Sequence, residues 1–194
     1  MRVIAGTVRG RRLKSVHGMA LRPTADRVRE GIFSILGSRF ELRDAVVLDL
    51  FAGTGALGIE ALSRGAGRAV FVEQGHAALQ VLRANVELCG FASRAEIWPL
   101  AVRRALRELG EHAYRFDGVL LDPPYGRGLL QSTLEYLSES GLLRSGGWVM
   151  AEGQVDEVIS ETYGPLRLTR NRHYGKTCVS VYSLVGIEDA VAGS

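Results

Sequence analysis

Residues 45–73, AVVLDLFAGTGALGIEALSRGAGRAVFVE, decide the fold. A short apolar run enters a glycine-rich loop, a helical segment follows, and a second apolar run ends at Glu73. Gly53, Gly55 and Gly58 match the pattern G-x-G-x-x-G, in which glycine lets the backbone turn tightly and approach a ligand closely. An acid about 20 residues after the first glycine can bind ribose hydroxyls. The stretch therefore predicts a Rossmann-like site for an adenosine-type cofactor, either a nicotinamide or S-adenosylmethionine.

Outward from this stretch, short apolar strands continue to alternate with helical segments. AEIWPL, FDGVLLD and GGWVMAE are the expected third, fourth and fifth strands, each separated from the next by a helix. Such alternation predicts a parallel sheet covered on both faces. LRLTRNRHYG and KTCVSVYSLV add an antiparallel hairpin at the sheet edge. We predict an α/β protein with a mostly parallel, seven-stranded sheet and helices on both faces.

The chain divides into three expected parts. Residues 1–23 predict a basic extension that forms a small β-hairpin. Residues 24–185 form the α/β domain, which opens with a helix over 24–39 that uses Thr24 as its N-cap. Residues 186–194 are expected to be a disordered tail.

A second loop, LLDPPYGR at 120–127, follows the fourth apolar run and reaches the same sheet edge as the glycine loop. Asp122 and the carbonyl of Pro123 can accept the two N–H bonds of an exocyclic amine and orient its lone pair. Pro124 stiffens the loop, and the ring of Tyr125 offers a surface on which an unpaired base can stack. The loop therefore favours methyl transfer to an amino group of a base.

Charge is distributed unevenly along the chain. The formal net charge is +3. Residues 1–30 nevertheless hold eight Lys and Arg against two acids, and residues 163–185 hold four against none. Basic ends on an acidic middle suit a polyanion such as nucleic acid, although a solvated charged surface is the plainer interpretation.

Several classes of protein are disfavoured. No apolar run approaches the roughly 20 residues of a membrane span, and the first residues lack the apolar core of a signal peptide. Cys89 and Cys178 indicate buried free thiols rather than a disulfide framework. The four histidines show no paired spacing, so we expect no metal. A cytoplasmic protein without membrane association is expected.

At this point the sequence resembles a known family. VLDLFAGTGALGIEALSRGA, FVE and LLDPPY are similar to class I S-adenosylmethionine-dependent methyltransferases that carry a D/N-PP-Y/F motif. RVIAGTVRGRRL, LRPTADRVREGIFSIL and the late YGKTCVSVY resemble the bacterial 16S rRNA (guanine-N2)-methyltransferases, over about residues 2–185. The resemblance implies a class I methyltransferase fold, with S-adenosylmethionine as cofactor. It also implies methylation of a guanine N2 in 16S rRNA. A small-subunit assembly intermediate is the expected partner, and a monomer the expected state.

The resemblance also implies residue roles. The expected catalytic residues are Asp122, Pro123, Pro124 and Tyr125. The expected cofactor-binding residues are Asp49, Phe51, Ala52, Gly53, Thr54, Gly55, Gly58, Glu73, Ala101 and Thr24. The expected RNA-binding residues are Arg2, Arg9, Arg11, Arg12, Lys14, Arg22, Arg27, Arg170, Arg172 and Lys176.

One position departs from the class I pattern, and other functions stay open. Many class I enzymes bind the adenine amino group with an acid after the third strand, where this chain has Leu100 and Ala101. Adenine is therefore expected to meet backbone groups or an apolar wall. The alternatives are a DNA adenine-N6 methyltransferase, a non-catalytic nucleic-acid-binding module and, less favoured, a nicotinamide oxidoreductase.

Overall fold

The computed structural model describes residues 1–16 and 23–185, without the side chains of residues 23–25. The described helices are α1 (Pro23–Gly37), α2 (Ala56–Ser63), α3 (His76–Leu88), the short 3₁₀ helix Ala92–Arg94, α4 (Val102–Glu111) and α5 (Leu129–Glu139). The described strands are β1 (Val46–Leu50), β2 (Arg68–Val72), β3 (Ala95–Trp98), β4 (Phe116–Leu121), β5 (Leu143–Gln154), β6 (Thr162–Tyr163), β7 (Leu166–Tyr174) and β8 (Thr177–Leu184).

All described strands join one sheet in the order β3-β2-β1-β4-β5-β8-β7-β6. Strands β1 to β5 pair in parallel, whereas β8 is antiparallel to β5 and β7 to β8. The predicted α/β class, the parallel core and the late hairpin are confirmed. The predicted number of seven strands is wrong, because the described residues already form eight. The additional strand, β6, has two residues, too few to show an alternating pattern in the sequence.

Two apolar cores cover the two faces of the sheet. Buried side chains of α1, α2 and α3 pack on one face, and those of α4 and α5 pack on the other. Along each central strand, alternate residues serve opposite faces, as the period of two requires. In β4, for example, Leu120 belongs to the α1 face and Leu121 to the α4 face. This alternation sets the face of the sheet toward which the side chain of each strand residue points.

The N-terminal extension has the antiparallel hydrogen bonding of the predicted small β-hairpin. Within residues 1–16 the chain reverses, and a β-bridge joins Arg2 to Arg12. The backbone N–H groups of Val3, Gly10 and Leu13 donate to the carbonyls of Arg11, Val3 and Met1. The backbone N–H groups of Ile4 and Ala5 donate to the carboxylate of Glu60, at 2.8 and 3.0 Å, and tie the extension to α2. We call residues 1–16 the basic arm. Its Val3 and Leu13 are buried in the α1-face core, so the division at residue 23 remains a prediction.

Helix α1 begins one residue earlier than predicted. Pro23 opens the helix, so Thr24 lies in the first turn and is not the N-cap. Proline is favoured in the first turn, because its missing N–H would lack a partner there in any case. The expected cofactor contact of Thr24 concerns a side chain outside the described set. Arg22 and the expected tail at 186–194 also lie outside the described residues.

Across residues 1–16 and 23–185, no helix is long and apolar enough to cross a lipid bilayer.

Candidate active site

Three carboxylic acids meet where β1, β4 and β5 end. Asp49 lies near the end of β1, Asp122 follows β4, and Glu152 lies near the end of β5. The parallel register aligns Leu50 with Leu121 and Leu121 with Ala151. Because side chains alternate, Asp49, Asp122 and Glu152 all turn toward the α1 face. The ligand sites of open α/β sheets lie at this carboxyl edge.

The glycine loop between β1 and α2 is strongly bent. Phe51, Gly53 and Gly55 all have left-handed backbone angles, with φ of 57°, 55° and 82°. A left-handed non-glycine residue stores strain and is found most often at functional sites. Gly58 needs its lack of a side chain for another reason, since an added Cβ would lie 2.3 Å from the ring of Phe71. The predicted glycine positions are therefore required by the loop geometry.

Glu73 braces the glycine loop from the end of β2. Its Oε2 accepts the N–H of Gly53 at 2.8 Å, and its Oε1 accepts those of Gln74 and Gly75 at 2.8 and 2.6 Å. A carboxylate oxygen can accept about two hydrogen bonds, so Oε2 can still accept one more. The predicted ribose contact thus has a carboxylate already oriented toward the loop, and it stays a prediction.

Asp49 is an acid enclosed by the protein. Its side chain is 1% exposed, and Oδ2 accepts the N–H of Gly58 at 2.8 Å. Burial, together with the charge of Glu73, raises the pKa of Asp49 to about 7, although the Gly58 hydrogen bond opposes the rise. A nearby cation would favour the charged form of such a group. This carboxylate is therefore suited to a positively charged ligand at the loop.

Asp122 differs from Asp49 and Glu152 in its hydrogen bonding. Among the described residues, the carboxylate of Asp122 accepts no hydrogen bond from the protein, so it remains available to a ligand. Burial raises its pKa well above the ordinary value, and the charges of Glu152 and Asp49 raise it further. Burial also raises the pKa of Glu152. Tyr125, 40% exposed at the rim, donates its hydroxyl to Oε1 of Glu152 at 3.1 Å.

Glu152 is a site residue that sequence reasoning missed. The available signal was its position, because GGWVMAE places it as the first acid near the end of the fifth strand. Asp122 holds the equivalent position at the end of the fourth.

Two cavities open beside Phe51. One, of about 300 Å³, is lined by the three carboxylic acids together with Ala52, Gly53, Thr54 and Arg29, among others. The other, of about 780 Å³, lies between α4 and α5, and its lining includes Ala101 and Val102. Ala101 and Val102 are thus placed in a cavity wall, and their contact with adenine stays a prediction. Six predicted residues of the two loops thus line the first cavity: Asp49, Phe51, Ala52, Gly53, Thr54 and Asp122.

Among the predicted RNA-binding residues that the structure describes, five lie on the α1 side of the molecule. Arg2, Arg9 and Arg27 line one groove of about 300 Å³. Arg170 and Arg172 pair across the ladder with Val181 and Val179, which belong to the α1-face core, so these arginines share that face. All the predicted RNA-binding residues that the structure describes are exposed or partly exposed: Arg2, Arg9, Arg11, Arg12, Lys14, Arg27, Arg170, Arg172 and Lys176.

Arg29 connects the basic arm to the active-site cavity. Its guanidinium is nearly buried and donates to Asp26 at 3.0 Å and to the carbonyl of Arg2 at 2.6 Å. Its Nε lies 3.8 Å from Oε2 of Glu60. Within the described part of the chain, no cluster of three His, Cys, Asp or Glu side chains is arranged to hold a metal ion.

The strand order, the bent glycine loop and the DPPY loop together define the class I methyltransferase fold. The chain belongs to the family described as "Conserved hypothetical protein 95", whose model matches residues 1–183. The Ribosomal RNA small subunit methyltransferase D of Escherichia coli is 35% identical over 94% of this chain and 89% of its own length. YlbH of Bacillus subtilis, provisionally named an rRNA methyltransferase, is 39% identical over 96% of this chain and all of its own.

Solved structures agree with the fold. The structure of Thermus thermophilus protein TTHA0928 has a TM-score of 0.80 and 31% identity, covering 93% of this chain and 98% of its own. An RNA methyltransferase from Salinibacter ruber in complex with S-adenosyl-L-homocysteine has a TM-score of 0.62. It is 17% identical, covers 86% of this chain and 94% of its own, and shares the fold alone.

Proposed function

We propose that this protein transfers a methyl group from S-adenosylmethionine to the exocyclic N2 of a guanine in 16S ribosomal RNA. The observation that carries the proposal is the carboxylate of Asp122. It faces the cavity that the glycine loop also lines, and it accepts no hydrogen bond from the described residues. A carboxylate left available in this way is suited to receive the N–H groups of an amine.

The residues at the carboxyl edge fit the methyl donor. Asp49 would face the methionine ammonium, Glu73 the ribose hydroxyls, and Phe51 with Ala101 the adenine. The backbone of Gly53 is open on the ligand side, where an added Cβ would meet only one atom within 4 Å, at 3.9 Å. When bound, the sulfonium supplies the methyl carbon to N2 and keeps the electrons of the broken C–S bond. The methylated N2 then loses a proton, and Asp122 is the group placed to accept it.

The loop after β4 would orient the target base. Asp122 and the carbonyl of Pro123 accept the two N2 hydrogens, so the nitrogen lone pair is directed at the methyl group. Pro123 and Pro124 limit the backbone freedom of that carbonyl. Tyr125 is held at the rim by its hydrogen bond to Glu152, so its ring is presented to a flipped base. Stacking of this kind contributes about 1–3 kcal/mol per base.

Ribosomal RNA is the favoured substrate because of the relatives and the basic surface together. The E. coli relative, by its name, methylates small-subunit ribosomal RNA, and the match covers most of both chains. The exposed basic arm and the β7–β8 hairpin would bind the phosphates. An enzyme of this kind works in the cytoplasm, and we propose a monomer acting on an assembly intermediate of the small subunit.

Labelled S-adenosylmethionine would test this function directly. We expect label to enter 16S RNA, either free or within small-subunit particles, and nuclease digestion to yield N2-methylguanosine. Label confined to duplex DNA would instead support the adenine-N6 alternative. Absence of label from every nucleic acid, despite cofactor binding, would favour a non-catalytic binding module.

Removing the arginines of the basic arm tests the RNA-binding surface. Replacement of Arg9, Arg11 and Arg12 by glutamine should weaken RNA binding and flatten its dependence on salt concentration. The slope of log K against log[salt] should fall by about 0.7–0.9 for each RNA phosphate that an arginine no longer neutralises. Filter-binding titrations from about 50 to 200 mM salt measure that slope. Replacement of Arg103, Arg104 and Arg107 on α4 is the control, and an effect equal to that of the arm would contradict the assignment.

A further inference from the structure

We propose that Glu152 recognises the ring N1–H of the target guanine and thereby makes the site selective for guanine over bases without that hydrogen. This inference rests on the proposed function and assigns a specificity residue to the same site. It starts from the sheet register. Leu121 pairs with Ala151, so Asp122 and Glu152 are the next residues on adjacent parallel strands. Adjacent strands lie about 4.8 Å apart.

Both carboxylates face one cavity from one side. Leu121 and Ala151 belong to the α4-face core, so the residues that follow them turn to the α1 face. Asp122 and Glu152 accordingly line the same cavity of about 300 Å³. Asp49 lines it as well, but it is held to the glycine loop by the N–H of Gly58, and the proposed function assigns it to the methionine ammonium. The carboxylates of Asp122 and Glu152 therefore form the acceptor pair at the cavity wall.

The hydrogen bond from Tyr125 orients Glu152 for this task. The tyrosine hydroxyl donates to Oε1 at 3.1 Å. Among the described residues no group donates to Oε2, so this oxygen is the acceptor available to a ligand. Arg29 also lines the cavity, but its NH2 donates to Asp26 and to the carbonyl of Arg2. Its Nε has no hydrogen-bond partner among the described residues and lies 3.8 Å from Oε2 of Glu60.

Guanine matches two adjacent acceptors, whereas the other amino-bearing bases do not. Its N2 amine and its N1–H point outward side by side, so Asp122 can accept from N2 and Glu152 from N1. In adenine and cytosine, the ring nitrogen beside the amine is an acceptor, and its lone pair would face a carboxylate. Sites built to bind an N–H reject analogues that lack it, because a buried acceptor is then left unpaired.

The test compares two RNA substrates that differ only at the modified position. One carries guanine there, and the other carries 2-aminopurine, which keeps the 2-amino group but has an acceptor at ring N1. The wild-type protein should prefer guanine by about 100-fold in kcat/KM. In Glu152→Gln the preference should fall below about fivefold, because the amide can donate to that nitrogen. Glu152→Asp keeps a carboxylate and should keep most of the preference.

Structural effects are separated by the ratio and by a control. A purely structural role for Glu152 would change both substrates alike and leave the ratio unmoved, and that result would overturn the proposal. Glu161→Gln, an exposed acid on the following loop, should leave the ratio as in the wild type. If the wild-type protein methylates neither RNA, the proposed function itself fails. If it methylates guanine RNA while Glu152→Gln keeps the preference, only the role of Glu152 fails.

Discussion

Asp122→Ala is expected to lower kcat for methyl transfer by about 10²–10³-fold or to background, while the Kd for S-adenosylmethionine changes by less than about threefold. Removing one preorganised group that stabilises developing charge typically costs that much. The alanine leaves the amine with only the carbonyl of Pro123, so its lone pair is neither oriented nor stabilised. Cofactor binding should persist because Asp49, Glu73 and the glycine loop are untouched. Single-turnover methylation and equilibrium dialysis measure the two quantities separately.

Asp122→Asn is the matched control. The amide retains one oxygen acceptor in the same place but cannot take a proton, so activity should fall less than in Asp122→Ala. An active alanine variant would show that Asp122 does not bind the amine. Equal losses in both variants would instead assign its role to the negative charge rather than to the acceptor.

The parallel core could be predicted from sequence because its signals are local. Each buried strand is a short apolar run. The glycines of the loop lie where the backbone is left-handed or where a neighbouring side chain leaves no room for a Cβ. The left-handed backbone at residue 55 favours glycine, and Gly58 lies against Phe71. The place of Asp122 could also be predicted, because it lies between a buried strand and two prolines that restrict the backbone. Local sequence thus predicted most of the fold and the place of Asp122 at the carboxyl edge of the sheet.

Features that depend on distant partners were missed. The attachment of the basic arm to the domain depends on Glu60, 56 residues from Ile4, whose carboxylate accepts the backbone N–H groups of Ile4 and Ala5. No local sequence pattern indicates such a distant hydrogen-bond partner. Glu152 was not predicted as a site residue for a similar reason. Its relevance depends on the register between β4 and β5, and on the hydroxyl of Tyr125, which lies 27 residues away in sequence.

Asp49→Asn is expected to raise the free energy of unfolding at pH 8 and to leave it nearly unchanged at pH 4. The folded protein holds the pKa of Asp49 at about 7, against 3.8 as the ordinary value. Between the unfolded and the folded pKa of Asp49, the folded state binds more protons than the unfolded state, so wild-type stability falls as pH rises. At about 1.4 kcal/mol per pH unit, the fall reaches at most about 4 kcal/mol. Asparagine keeps an acceptor for the Gly58 N–H but carries no charge that burial would penalise.

The difference between the two proteins isolates this one group. Asp122 and Glu152 titrate in both, so their contributions largely cancel when the urea-unfolding free energies of wild type and variant are subtracted at each pH. That difference should widen from about pH 4 to 7 and then level off, because above the folded pKa both states of the wild-type carboxyl are ionised. Affinity for S-adenosylmethionine should move the other way. It should strengthen with pH in the wild type, as Asp49 ionises opposite the ammonium, and be weaker and flatter in the variant. Parallel stability curves at all pH values would mean that Asp49 is ionised at low cost in the folded protein, and its proposed pairing with the ammonium would then lose its electrostatic basis.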